Sequence, residues 1–250
     1  MNRIFIRALW GIYDKSDRIL IRRYRMDENI KILLKNKFNT PFKTYVWGKD
    51  NSEYLQKNGI TDTILVKEEP YQFDLIKEQY RHKLEAIKLA HTEYDEVLQL
   101  DWDCYLSREL PADFWEVLGK KSSFQANLQQ YHNIKCKWRR DHKRKVPNGG
   151  FTYTRGPEPI ERIIKLWERL DNDNKKSCEP TMGMYVDELQ GGLERGEFDL
   201  ERYWDENEPE WCHLHRDSVY PDRVKNYCFK HYQGSWLAQE FRKGIWEGIA

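Results

Sequence analysis

The chain has 250 residues, too long for a minimal domain and short for two full ones, so a single α/β domain with insertions is the expectation. Lys and Arg number 42 against 41 Asp and Glu, a net charge of +1, so no bulk field marks the chain as a binder of nucleic acid or membrane and any such role must come from local charge. A charged fraction of 33% with 10 Trp and 15 Tyr describes a polar yet aromatic-rich chain, which excludes disorder over most of its length.

Arg3 to Leu9 reads as a buried strand that ends at Trp10-Gly11. A basic helix is expected from Ser16 to Asn36, then a strand over Thr44–Trp47 closed by Gly48. Ser52 to Asn58 reads as a short helix with Ser52 as N-cap and Asn58-Gly59 as its stop. Thr63–Val66 is a third strand. Pro70 precedes a helix from Phe73 to His91, in which Tyr80, Leu84 and Ile87 share one face. Glu96 to Leu100 is a fourth strand and runs straight into Asp101-Trp102-Asp103. This alternation predicts a mostly parallel sheet with helices on both faces.

Beyond Asp103 the rhythm changes. A short helix is expected at Phe114–Leu118, a strand at Phe124–Leu128, and a turn at Pro147-Asn148-Gly149-Gly150 leading into a strand over Phe151–Thr154. Pro159 to Leu170 places Ile160, Ile163, Ile164 and Trp167 on one helical face. The last third reads as loop-rich. One domain is expected over 1–250, with 1–103 as a nucleotide-binding half and 104–250 as an acceptor-binding half. Apolar runs are far shorter than the ~20 residues of a spanning helix, and the N-terminus lacks the pattern of a signal peptide. The five cysteines are widely spaced with no C-x-x-C, which fits reduced thiols in a cytoplasm.

The strongest chemical signal is Val97-Leu98-Gln99-Leu100-Asp101-Trp102-Asp103. A buried strand delivers two carboxylates at its carboxyl end, where ligands bind in open α/β sheets. In extended chain, residues i and i+2 point the same way, so both carboxylates reach one cation. A hard ion such as Mn²⁺ or Mg²⁺ suits oxygen donors and leaves positions for phosphate. The bland alternative is a solvated turn.

With its surroundings this segment resembles the GT-A family of nucleotide-sugar glycosyltransferases, in which a D-x-D at a strand end holds the metal that carries the donor diphosphate. Tyr94-Asp95-Glu96-Val97-Leu98-Gln99-Leu100-Asp101-Trp102-Asp103 is similar to the family's Y-D-x-V-x-x-L-D-x-D. Arg81 and Lys83 stand on the preceding helix, as basic residues do in that family. Asn148-Gly149-Gly150-Phe151 is similar to its N-[SG]-G turn, and His231-Tyr232-Gln233-Gly234 to its H-x-x-G, although Ser235-Trp236-Leu237 replaces the usual K-P-W. The resemblance implies a GT-A-like α/β fold and a sugar transferase, hexosyl or pentosyl, using a nucleoside-diphosphate donor, with a UDP-sugar favoured. It implies Asp101, Asp103 and His231 as ligands of Mn²⁺ or Mg²⁺. It also implies a donor site from Arg7, Ala8, Leu9, Trp10, Gly11, Arg81, Lys83, Trp102, Asn148, Gly149, Gly150 and Gly234. Trp10 serves equally well as a core aromatic, and Asn148-Gly149-Gly150 as a plain hairpin turn.

Asp187 and Glu188 are the candidate catalytic carboxylates, with Asp187 as general base if the reaction inverts, or an acidic helix end if it is not used. From Lys135 to Lys145, seven of eleven residues are Lys or Arg and one is Trp. Lys137, Trp138, Arg139, Arg140, Lys143, Arg144 and Lys145 thus read as a phosphate-backbone footprint with a stacking element, or as a solvated loop. Phages encode small glycosyltransferases that decorate hydroxymethylated bases in DNA, and the chain resembles that kind of protein, which would act in the bacterial host cytoplasm. The acceptor expected is therefore DNA, with a glycan as the alternative. A non-catalytic nucleic-acid-binding protein on a degenerate transferase fold, and a D-x-D phosphohydrolase or nucleotidyltransferase, are the readings from other classes.

Overall fold

The strand–helix alternation of the first hundred residues is present in the structure, a computed structural model. It describes residues 1–10, 17–69, 81–106, 108–119, 123–129, 146–169, 181–182, 185, 214–216 and 229–231, with residues 17–25, 127–129, 146–148, 214–216 and 230–231 described by backbone alone. In chain order the elements are β1 (Arg3–Leu9), α1 (Asp17–Lys35), β2 (Phe42–Trp47), α2 (Lys49–Lys57), β3 (Thr63–Lys67), α3 (Arg81–Ala90) and β4 (Glu96–Leu100). They continue with β5 (Cys104–Leu106), α4 (Phe114–Gly119), β6 (Phe124–Gln129), β7 (Val146–Arg155), α5 (Glu158–Arg169), β8 (Leu214–Arg216) and β9 (Phe229–His231).

Six strands form one sheet in the order β3-β2-β1-β4-β7-β6. β3, β2, β1 and β4 are mutually parallel, whereas β7 runs antiparallel to β4 and to β6. The central β4 is buried throughout, whereas β3 at the edge of the sheet is only half-buried. Successive residues of β1 serve opposite faces. Ile6 and Ala8 join α3 (Leu84, Ile87, Ala90) and α5 (Ile160, Ile163, Ile164, Trp167) on one side. On the other side Phe5 meets α4 through Phe114 and Leu118, while Leu9 meets Met26 and Ile30 of α1 and Leu55 of α2. Helices thus cover both faces, as the sequence predicts. β6 and β7, from beyond residue 103, complete the same sheet as β1 to β4.

The amino end of β4 is locked by polar contacts. The buried Glu96 carboxylate accepts from Arg3 Nε at 2.6 Å and from the Tyr153 hydroxyl at 2.5 Å. These tie β1, β4 and β7 in register, so the carboxyl ends of β1 and β4 arrive at one edge.

Two local expectations are corrected. Ser52 is not an N-cap: α2 begins at Lys49, Gly48 at φ 95° is the cap residue, and Ser52 is buried inside the helix. The stop is as expected, with Gly59 at φ 91° allowing Gly59 N–H to reach Gln56 C=O (3.1 Å) and Ile60 N–H to reach Leu55 C=O (3.0 Å). Pro147 to Gly150 is not a hairpin turn either. It lies within β7, where the pairing with β6 jumps from Ala126↔Thr152 to Asn127↔Asn148. The residues skipped on β7 include both glycines, and glycine tolerates such a bulge where another backbone comes close.

The helix expected from Phe73 is described only from Arg81, and Tyr80 lies outside the described residues. Most of the C-terminal third also lies outside them. No described helix is long and apolar enough to cross a membrane. Among the described cysteines, Cys104 is a free, buried thiol whose pKa burial pushes well up.

Candidate functional site at the carboxyl ends of β1 and β4

The order of the parallel strands reverses between β1 and β4, with β2 and β3 on one side and β4 on the other. At such a switch point the connections leave in opposite directions and open a crevice beyond the carboxyl ends of the strands. Asp101-Trp102-Asp103 stands at that point, directly after β4.

The three residues do not continue the strand. The Cys104 N–H donates to the Asp101 carbonyl at 3.0 Å, which closes a turn with Trp102 and Asp103 at its corners. Asp101 and Asp103 are therefore placed by a turn and not by the alternation of extended chain. The turn is held from below by Arg7. Its guanidinium donates to the Asp101 carbonyl and, at 2.8 Å, to the Cys104 carbonyl, so one side chain holds both ends of the turn. The Arg7 guanidinium also lies over the rings of Phe42 (5.1 Å) and Trp102 (5.6 Å). Burial lowers its pKa, and the negative charges of Asp101 and Asp103 act in the opposite sense. Arg7 is thus a buried support for the D-x-D.

Trp102 folds back onto β1, where its Nε1–H donates to the Ala8 carbonyl at 2.9 Å. The bulge of β7 closes the other side, with the Asp101 N–H donating to the Gly150 carbonyl at 3.0 Å. The Asp101 carboxylate, 24% exposed, forms an ion pair through Oδ1 with Lys83 Nζ. The same oxygen accepts from Gln99 Nε2 at 3.1 Å, and Lys83 Nζ also lies 3.4 Å from the Gly149 carbonyl. Asp103 is partly exposed.

The small sheet β5-β9-β8 brings in the C-terminal part of the chain. β5 pairs antiparallel with β9, and the register sets His231 opposite Cys104, the residue that follows Asp103. The backbone of His231 thus lies beside the turn, 127 to 130 residues away along the chain from Asp101 to Cys104, because of strand pairing alone.

Of the donor-site candidates, Arg7, Ala8, Trp102, Lys83, Gly149 and Gly150 converge on the turn. Leu9 is buried in the core beneath α1 and α2. Trp10 lies edge-on to His82, at 5.8 Å between ring centroids, and His82 stacks on Trp47 at 4.5 Å. Arg81 turns to carboxylates of its own and of α5, pairing with Glu85 (2.9 Å) and Glu168 (3.2 Å). Asn148 is placed by backbone alone, opposite Asn127. Gly11, Gly234, Asp187, Glu188 and the loop residues Lys137, Trp138, Arg139, Arg140, Lys143, Arg144 and Lys145 lie outside the described residues.

Sequence reasoning missed Gln99 and His82. The signal for Gln99 was present: a polar residue inside the buried run Val97-Leu98-Gln99-Leu100 needs a partner, and it finds the Asp101 carboxylate. His82 carried no such signal, since its stacking on Trp47 depends on where α3 meets the end of β2.

The residues fit a hard divalent cation in kind: two carboxylates at one turn, the first partly exposed, with a histidine beside them in register. Among the described residues no group of three His, Cys, Asp or Glu side chains converges on one point, and the His231 side chain is not among those described.

No family model matches the chain, and no curated protein matches it. Among solved structures it is similar to a glycosyltransferase involved in the glycosylation of the major capsid of PBCV-1, at 14% identity and a TM-score of 0.44, covering 97% of this chain and 98% of that one. It is also similar to mouse xyloside xylosyltransferase 1 in its apo form, at 9% identity and a TM-score of 0.41, covering 93% and 98% of the two chains.

Proposed function

We propose that this chain is a divalent-metal-dependent glycosyltransferase that moves a sugar from a nucleoside-diphosphate donor, a UDP-sugar, to an acceptor hydroxyl. The observation that supports it is the Asp101-Trp102-Asp103 turn at the β1/β4 switch point, pinned by Arg7 and by Gly150, with His231 in register beside it. A site built to hold two carboxylates at an opening, on a buried cationic support, suits a charged ligand carried by a cation.

In this reading Asp101, Asp103 and His231 would hold Mn²⁺ or Mg²⁺, which would neutralise charge on the leaving diphosphate. Arg7 keeps the turn in place through its hydrogen bonds to the Asp101 and Cys104 carbonyls. The glycines of β7 let backbone come close to the ligand. The bond from the anomeric carbon to the diphosphate oxygen breaks, and a bond from that carbon to the acceptor oxygen forms. The acceptor proton goes to Asp187 if the reaction inverts.

The acceptor proposed is a hydroxymethylated base in DNA, and the support for it is the sequence from Lys135 to Lys145. A base inside a duplex would have to be turned out for its hydroxyl to reach the sugar carbon.

The test is turnover of a panel of nucleotide sugars with Mn²⁺, offered hydroxymethylated DNA or glycans as acceptors. Cleavage that needs the metal, stops with EDTA and is lost in Asp103→Ala while the circular dichroism spectrum is kept is the expected result. Full activity of Asp103→Ala in EDTA refutes the metal reading. Labelling of a glycan with none of the DNA refutes the DNA acceptor.

A further inference from the structure

Lys83 stands where a bound cation would act. Its Nζ is paired with Asp101 Oδ1, and the residue is only 9% exposed. Two further groups fix the arrangement: Gln99 Nε2 on the same carboxylate oxygen and the Gly149 carbonyl on the Lys83 ammonium. Arg7 places a second buried positive charge beneath the same turn. The carboxylates of the turn are thus offset by two cationic side chains held on α3 and β1.

Resting on the proposal that Asp101 and Asp103 hold a divalent metal, we propose that Lys83 is a built-in competitor for that metal. The ammonium holds Asp101 when no metal is bound and gives it up when one is taken up. The carboxylate cannot serve both at full strength. A divalent ion on Asp101 would repel the neighbouring ammonium, so the ion binds at full strength only once the ammonium has moved away. Lys83 is largely buried, yet it carries its ammonium on a long flexible stem, so the ammonium can leave Asp101 by rotation about its own side-chain bonds while α3 stays in place. The arrangement keeps the free metal weakly held. The ion then binds well only with a ligand whose own negative charge takes over from Asp101 as partner of Lys83, and a diphosphate has that charge.

The test is Mn²⁺ titration of the full-length chain followed by electron paramagnetic resonance, without nucleotide and then with UDP. Wild type, Lys83→Met, Lys83→Arg and Asp101→Asn are compared, and Lys83→Gln replaces Lys83→Met if the latter does not fold. Without nucleotide, Lys83→Met is expected to bind Mn²⁺ at least about tenfold more tightly than wild type, Lys83→Arg to stay near wild type, and Asp101→Asn to lose binding. With UDP the advantage of Lys83→Met is expected to vanish or reverse. A merely structural lysine would give the opposite sign in the first titration, since its loss would loosen the site. If Lys83→Met binds Mn²⁺ no better than wild type, the competition is refuted and the metal reading stands. If neither binds Mn²⁺ at millimolar concentration, the metal reading itself falls and takes the competition with it.

Discussion

Replacing Arg7 by Met removes the one side chain that holds both ends of the D-x-D turn, at nearly constant length. Two hydrogen bonds from a charged donor are lost, to the carbonyls of Asp101 and Cys104. Such bonds contribute roughly 1.5–3 kcal/mol each, so the gross loss is about 3–6 kcal/mol. Part of it is returned, because the variant no longer buries an ion that costs several kcal/mol to desolvate. The Asp101 carbonyl also keeps the Cys104 N–H at 3.0 Å, which softens the loss at that end. The net expectation is a destabilisation of about 2–4 kcal/mol, seen as a fall in Tm of roughly 5–15 °C for a chain of this size. Arg7→Lys keeps the charge but cannot span both carbonyls with a planar fork, so it should fall between the two. Urea unfolding gives the stability of each variant, and Mn²⁺ titration of the folded protein gives the state of the turn. Because Arg7 holds the turn from a buried position, Mn²⁺ affinity should fall together with stability. An unchanged Tm in Arg7→Met, or a normal Mn²⁺ affinity in a destabilised Arg7→Met, would refute the idea that Arg7 is what positions Asp101 and Asp103.

The remaining predictions concern acidity and charge. His91 is half-buried, with Nδ1 3.0 Å from the Tyr94 carbonyl and Nε2 2.7 Å from the Thr154 hydroxyl, and burial lowers its pKa. The unfolded chain therefore binds the proton more readily, so the His91 contribution is present in full above the ordinary histidine pKa of about 6.5 and is lost progressively as pH falls from there through the lowered pKa of the folded state. Urea midpoints between pH 5 and 8 should drop on the acid side in wild type and less in His91→Gln; parallel curves would refute this. For the basic loop, a variant carrying Arg139→Glu, Arg140→Glu and Lys143→Glu should bind duplex DNA more weakly. Its salt dependence should also be shallower than that of wild type, by about 0.9 log units per log unit of salt for each phosphate that the variant leaves unneutralised. Equal, salt-independent binding by both proteins would discard DNA as the partner.

What the sequence determined by itself is local and one-dimensional. The apolar run of β4 and the acidic pair after it, the periodicity that puts Leu84 and Ile87 of α3 on a buried face, and the Asn58-Gly59 stop of α2 all depend on neighbours within a few residues. Hydrophobic period and turn chemistry act over that range, so reading along the chain finds them. Where local rules compete, the sequence is ambiguous. Ser52 has the side chain of a cap, yet Gly48 adopts φ 95° and starts the helix three residues earlier. Asn148-Gly149-Gly150 has the composition of a turn, yet pairing with β6 at Asn148 and again at Thr152 draws it into a bulged strand.

Only the tertiary structure decided what the candidate site residues touch. Arg7 is an ordinary strand residue until β4 is laid beside β1, which sets its guanidinium against both ends of the Asp101–Cys104 turn. Lys83 is one of many lysines until α3 sets its ammonium against Asp101, and His231 joins the turn only through the pairing of β5 with β9. These juxtapositions span from about twenty to more than a hundred residues of chain. They are fixed by sheet order and helix packing, in which the burial of many apolar side chains outweighs the preference of any one of them.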